Sequence, residues 1–243
     1  MTTVLLPRPA GTDADAALLE RSGVTPVADP YVEILPLLDE ATMAARQRLA
    51  GLMPAAALVV TSVRALRALI DHVEVDRGTR VFAIGPTSAA ACTDAGFADV
   101  RVPEDGADNV ALTRLLAREH PEAIVIPRSS AAPSSLVDDL RGLGITVHDA
   151  VLYATMTIRQ APSTVAALCA GDIDAVIVRS GSAARALAHF VPAWPSHTRV
   201  IAAGRSTALV LREVGIPVSA IATQPDSASV VATTLRTIGG SPA

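Results

Sequence analysis

Aromatic residues are nearly missing from this chain, with three Phe, two Tyr and one Trp among 243 residues. A core must then be filled by Ala, Val, Leu and Ile, and a surface that stacks bases on rings has too few rings to build from. An excess of positive charge is missing too. Twenty basic side chains stand against 24 acidic ones, the formal net charge is −4, and no basic stripe offers a general nucleic-acid site. Cysteine is limited to Cys92 and Cys169, far apart in the chain. That fits small buried thiols in a reducing compartment better than a disulfide framework or a thiolate metal site. The histidines (His72, His120, His148, His189 and His197) show no ligand spacing, so no metal centre is expected. His72 and His148 read as surface or helix-edge residues. No apolar run approaches the roughly 18 to 20 residues a membrane helix needs. Met1–Thr2–Thr3 passes into apolar Val4–Leu6 without a basic segment or a cleavage site, so a cytoplasmic protein is the expectation. Also lacking are G-x-G-x-x-G, the Walker Lys-Ser/Thr pair and G-x-S-x-G, which removes support for nucleotide binding and for a hydrolase elbow.

What is present is apolar and regular. Half the residues are apolar and 18% are charged, the balance of a globular chain with ample core. Leu58–Val60 reads as a buried strand that stops at Thr61–Ser62 and launches a helix through Arg64 and Ala65. A near-copy runs from Ala175 to Ala183, with Ser180 at the turn. Each copy precedes a second unit of the same kind, one turning at Gly85–Pro86–Thr87–Ser88 and the other at Gly204–Arg205–Ser206–Thr207. Ser62 to Gly85 is 23 residues and Ser180 to Gly204 is 24, while Gly85 to Gly96 and Gly204 to Gly215 are both 11. The chain contains two related halves.

Val4–Leu6 is a short strand ended by Pro7–Arg8–Pro9, because proline cannot donate to a ladder. Thr12 or Asp13 then caps a helix that Gly23 closes, and Val24–Val27 is the next strand. Strand, proline and arginine recur 120 residues later in Ile124–Arg128. There Ser134 or Ser135 caps a helix through Leu136–Leu143, Gly144 stops it, and Ile145–Val147 follows as a strand. The repeat therefore sets roughly 1–120 against 121–243. Tyr31–Pro36 and Val151–Ile158 are extended linkers, each followed by a helical pattern (Leu38–Leu52 and Ser163–Ala170). Short strands at Asp99–Val102 and Val218–Ala222 lead to last helices at Val110–Arg118 and Val230–Ile238. Alternation at this spacing means parallel sheets with helices on both faces. Right-handed crossovers place every strand-to-helix turn on the carboxyl edge, where open α/β sheets bind ligands.

Those turns hold the candidate site residues. Thr61, Ser62, Ser88, Ser180, Ser206 and Thr207 fall at or near helix N-termini. Each could simply cap its helix, a contribution of about 1 kcal/mol. Their convergence on sheet edges, beside backbone N–H groups that favour anions, gives a binding role weight. Arg8, Arg64, Arg128, Arg179 and Arg205 follow strands closely and would suit a carboxylate or phosphate ligand, or else form surface ion pairs. Tyr153 stands on a linker strand in a chain with two tyrosines, placed either to meet a ligand or to pack over the hinge.

The set of motifs resembles the uroporphyrinogen-III synthase family. The matching pieces are Leu5–Pro9, Thr61–Ser62–x–Arg64–Ala65, Gly85–x–x–Ser88, Gly96, Leu140–x3–Gly144, Val151–x–Tyr153–x–Thr155, Ser180–x–Ser182–Ala183 and Gly204–x–Ser206–Thr207–Ala208. Each is weak alone, and their order is specific. Ser88 stands where the family usually has threonine, and Arg128–Ser129–Ser130 replaces a glycine-bearing turn. The resemblance implies two flavodoxin-like α/β lobes with parallel sheets, joined by a two-stranded β linker. Residues 1–35 with 159–243 would form one discontinuous lobe and 38–150 the inserted one, with linker strands at 31–37 and 151–158. The ligand in such proteins lies between the lobes. The implied reaction closes hydroxymethylbilane, a linear tetrapyrrole, to uroporphyrinogen III with inversion of ring D and loss of water, and it uses no cofactor. Tyr153 matches the family's general acid. Thr61, Ser62, Arg64, Ser88, Ser180, Ser206 and Thr207 match positions that bind substrate. A monomer is expected, with no nucleic-acid or membrane partner. The competing reading is a ligand-sensing domain of the same fold without catalysis.

Overall fold

A computed structural model describes residues 2–8 and 14–239. Pro9 and the first helix cap read at Thr12 or Asp13 lie outside the described residues. In chain order the elements are β1 (Thr3–Leu6), α1 (Ala14–Arg21), β2 (Thr25–Ala28), β3 (Val32–Pro36), α2 (Glu40–Gly51), β4 (Ala57–Val60), α3 (Val63–Ile70), β5 (Val81–Ala83), α4 (Pro86–Asp94), β6 (Val100–Arg101) and α5 (Asn109–Glu119). They continue with β7 (Ala123–Ser129), α6 (Ser135–Gly142), β8 (Thr146–Thr157), α7 (Val165–Ala170), β9 (Ala175–Val178), α8 (Gly181–Phe190), β10 (Arg199–Ala202), α9 (Arg205–Glu213), β11 (Ala220–Ile221) and α10 (Ser227–Gly239). The chain forms two compact units, one of Met1–Ile34 with Thr155–Ala243 and the other of Leu35–Ala154.

The first unit is a five-stranded parallel sheet in the order β2-β1-β9-β10-β11. Its strands are unbroken apolar runs because both faces are covered: every residue of β9 is buried. Val4, Leu6, Ala175, Ile177 and Ile201 pack on one side with Leu19 of α1 and Val230 of α10. Leu5, Val176, Val178 and Val200 pack on the other with Leu187 of α8 and Leu211 of α9.

The second unit carries β8-β7-β4-β5-β6 as parallel neighbours, with β3 beyond β8. Leu58, Val60, Val81 and Val125 face Leu49 of α2 and Leu66 and Leu69 of α3. Val59, Phe82, Ile124 and Ile126 face Leu112 and Leu116 of α5 and Leu140 of α6. Each fully buried Leu or Val contributes about 1.5–3 kcal/mol, so these aliphatic layers supply the core that six aromatic residues could not.

The topology explains the repeat. Both units have the flavodoxin-like order, in which the first strand lies inside the second and third. In the first unit β1 and β2 open that order and β9, β10 and β11 complete it. In the second unit β7 and β8 occupy the opening positions, although β4, β5 and β6 precede them in the chain. Each unit thus takes its first two strands from one half of the repeat and its last three from the other.

Some local expectations are revised. The stretches expected at Ile145–Val147 and Val151–Ile158 are joined in one twelve-residue strand, β8, which runs from Thr146 to Thr157. The residues between them hold the ladder, with His148, Asp149 and Ala150 opposite Val125, Ile126 and Pro127. Arg128 donates to Asp149 at 2.7 Å, which settles the acid within the strand. Ser134 precedes α6 without a side-chain cap bond. Instead of two buried thiols, Cys92 is buried and Cys169 exposed, because α7 turns Leu168 inward and leaves its neighbour outside. His72 is exposed past α3, whereas His148 sits in β8.

Candidate active site

Strand order reverses between β1 and β9 in the first unit and between β7 and β4 in the second. At such switch points neighbouring connections leave on opposite faces, and the carboxyl edge opens to a ligand. Ser62 follows β4 and Ser180 follows β9, so both serines stand at a switch point of their own unit.

In the second unit Ser62 is the extended N-cap of α3, and its Oγ accepts from the Ala65 amide at 3.1 Å. The same oxygen lies 3.4 Å from the hydroxyl of Tyr153, in a geometry that lets either group donate. Tyr153 arrives from β8, where a register irregularity sets it opposite Ser129, and it is 7% exposed. Thr61 is half-buried and Arg64 is exposed in the first turn of α3. Gly85 caps α4 with no side chain to offer, and Pro86 opens the helix where its missing N–H costs nothing. A Cβ on Gly85 would stand 2.7 Å from the Ala107 Cβ, so only glycine lets that loop approach. Ser88, two residues past Pro86, is 5% exposed while Thr87 is exposed.

In the first unit Ser180 repeats the Ser62 arrangement, accepting from the Ala183 amide at 3.3 Å, with the Ser182 hydroxyl 3.0 Å away. Gly204 caps α9 as Gly85 caps α4, again with no side-chain bond. Its φ of −173° is open to any residue, and a Cβ there would meet nothing within 4 Å. Neither strain nor packing accounts for that glycine. Two caps without side chains leave first-turn N–H groups for solvent or an anion. Thr207 is 6% exposed, whereas Ser206 and Arg205 are exposed. Among the described residues the Arg205 guanidinium has no polar partner.

The arginines divide. Arg179 is committed to its own unit: two bonds to Asp15 at 2.6 and 2.7 Å, one to the Pro225 carbonyl at 2.7 Å and one to Ser227 at 3.3 Å. Asp15 is fully buried, and Arg8 approaches it at 3.5 Å. Burial would raise the Asp15 carboxyl, but the Arg179 bonds, Ser227 and Arg8 together hold it below its ordinary value. Arg128 binds Asp149 and the Ala132 carbonyl. Arg179 and Arg128 are therefore internal ties and not ligand-facing cations, a correction to their reading at the sheet edges.

Thr87 went unselected in the sequence, although it is the counterpart of Ser206 when Gly85 is laid on Gly204. Position relative to the bare cap separates the exposed hydroxyls, Thr87 and Ser206, from the buried pair, Ser88 and Thr207. A groove of about 340 Å³ lies at the opposite, amino-terminal edge of the second unit, lined by residues that include Pro54, Arg80, Asp99 and Glu122. Arg80 is already paired with Asp99 at 2.8 Å, and none of the candidate residues reaches that edge.

Two doubly wound α/β units, each with hydroxyls and a bare helix N-terminus on its carboxyl edge, define the class as two-unit flavodoxin-like α/β proteins. Comparison with known proteins narrows it. Residues 13–232 match the family model described as uroporphyrinogen-III synthase HemD. A mutant uroporphyrinogen III synthase from the extreme thermophile Thermus thermophilus is similar over 98% of this chain and 99% of its own, with TM-score 0.67 and 18% identity. The uroporphyrinogen-III synthetase of Helicobacter pylori is similar over 96% of this chain and 97% of its own, with TM-score 0.65 and 20% identity. At such identities these structures establish the shared fold. No curated protein sequence matches significantly. The chain belongs to the uroporphyrinogen-III synthase family, cyclising lyases of tetrapyrrole biosynthesis. The non-catalytic sensing alternative is not favoured.

Proposed function

We propose that this chain closes hydroxymethylbilane to uroporphyrinogen III, and that Tyr153 is the group that helps the hydroxyl leave. The observation that carries the reading is the Tyr153 hydroxyl held 3.4 Å from Ser62 at the carboxyl edge of the second unit, in a chain of this family. A phenol both donates and accepts. With the Ser62 hydroxyl donating to the Tyr153 oxygen, the phenolic O–H is turned outward to the departing hydroxyl. The C–O bond breaks, water leaves with that proton, and an azafulvene cation remains. Ring D attacks through its substituted α carbon to give a spiro intermediate, which fragments and recloses with ring D reversed. Loss of a proton at the end restores the phenol.

Most of the task is geometric, because the bilane also closes without help to the type I isomer. Arg64 and Arg205, the bare caps at Gly85 and Gly204, and the hydroxyls of Thr61 and Ser206 hold the substrate's carboxylates. Ser180 serves the same edge in the first unit. Ser88 and Thr207, being buried, act from beneath by shaping the first turns. Each exposed Arg–carboxylate contact contributes about 0.2–1 kcal/mol, so affinity comes from the number of contacts. The protein works as a cytoplasmic monomer in this reading. The test is to add purified protein to freshly made hydroxymethylbilane. Consumption well above the spontaneous rate is expected, and a time course identical to buffer contradicts the proposal.

A further inference from the structure

Arg46 lies in α2 with no exposed surface at all. Its guanidinium donates to three backbone carbonyls: Nε to Ala68 at 2.8 Å, Nη1 to Leu37 at 2.6 Å and Nη2 to Leu152 at 2.8 Å. Nη1 also lies 3.2 Å from the Met43 sulfur. Among the described residues no carboxylate forms an ion pair with it. Burying a charge costs several kcal/mol, and a well-packed apolar side chain usually serves stability as well or better. What an apolar side chain cannot do is tie three carbonyls in one fixed fork.

Two of the three carbonyls belong to elements that carry residues of the candidate site. Ala68 is in α3, the helix that Ser62 caps. Leu152 immediately precedes Tyr153 in β8. Leu37 follows β3, and its amide donates to the same Leu152 carbonyl at 3.1 Å. The separation between Ser62 and Tyr153 is therefore set by a helix and a strand that one buried guanidinium pins together. We infer that Arg46 is a positioning residue for Tyr153, holding the Leu152 carbonyl against α3 so that the phenol meets the Ser62 cap. Its catalytic consequence rests on the role proposed for Tyr153.

The test is Arg46→Lys, alone and with Tyr153→Phe. A single ammonium cannot span three carbonyls. The chain otherwise has no lysine, so the introduced group gives one resolvable amine signal. Misplacement of a catalytic group by about 1 Å can cost ~100-fold. Arg46→Lys should lower kcat by about tenfold or more with KM nearly unchanged, and should have almost no further effect in the Tyr153→Phe background. An equal fall in both backgrounds, or no fall, overturns the inference. If the wild type consumes hydroxymethylbilane no faster than buffer does, the proposed reaction fails, and the geometry is read separately. Arg46→Lys must then shift the Tyr153 ring resonances, assigned by comparison with Tyr31→Phe, and unmoved resonances overturn the positioning role. Should Arg46→Lys not fold, hydrogen exchange in the wild type decides, since the Arg46 Nε–H must be strongly protected and rapid exchange refutes the anchor.

Discussion

Asp15→Asn would remove the buried anion that organises the carboxyl edge of the first unit. The carboxylate receives two short bonds from Arg179 and has Arg8 beside it. An amide keeps one acceptor oxygen but turns an NH2 group toward the guanidinium, donor against donor. Arg179 would keep only the Pro225 carbonyl and Ser227 as further partners. Breaking a buried pair by removing one partner costs about 3–5 kcal/mol. Arg179 retains some solvent contact, so about 3 kcal/mol is expected, roughly 100-fold in the folding equilibrium. At a urea slope of about 2 kcal/mol per molar this moves the midpoint down by roughly 1.5 M. Trp194 is the only tryptophan and packs in the first unit, so its fluorescence follows the affected part. The pH dependence adds a second check. The folded Asp15 carboxyl lies below its ordinary value of 3.8. Its contribution is therefore complete above that value and lost as pH falls through the lower, folded one. The variant should lack this acid-labile component. A midpoint within about 0.2 M of wild type, or an unchanged acid profile, would refute the pairing as a stabilising element.

Further outcomes follow from the same geometry. Tyr153→Phe should cut kcat by about 100-fold, the scale of general acid catalysis, while leaving product formation measurable; an unchanged rate removes the phenol from the mechanism. Gly204→Ala should leave the melting temperature unchanged, since its Cβ meets nothing, yet raise KM several-fold if a carboxylate approaches the bare cap, whereas an unchanged KM argues against that contact. Gly85→Ala should instead destabilise the second unit through its 2.7 Å approach to Ala107, and an unaltered denaturation curve would count against that packing. Burial pushes the Cys92 thiol up to about 11. Native protein should therefore take up one maleimide, at exposed Cys169, and a second only on unfolding, with two native labels contradicting the packing of α4.

Much of this fold could be read from the sequence because parallel strands with covered faces are written as short apolar runs. Leu58–Val60, Ala175–Val178 and the turns after them announce strand, cap and helix in a few residues. The carboxyl-edge placement of Ser62 and Ser180 follows from the same pattern. Three features were hidden for physical reasons. Side-chain pattern breaks at His148–Ala150, but a ladder is made by backbone groups, so β8 runs on. Arg179 and Arg128 look like edge cations because one-dimensional spacing does not show Asp15, over 160 residues away, or Asp149 folding back onto them. Arg46 stands two residues from Arg48 in α2, and nothing in the sequence separates the two. Only the meeting of Leu37, Ala68 and Leu152 around the Arg46 guanidinium reveals that it is fully enclosed.

The product's ring arrangement tests the central claim most directly. Hydroxymethylbilane made fresh, treated with the purified chain, oxidised and separated by chromatography should give mainly the type III isomer. Buffer alone should give type I. A product distribution indistinguishable from the buffer control would contradict the account, whatever the stability measurements show.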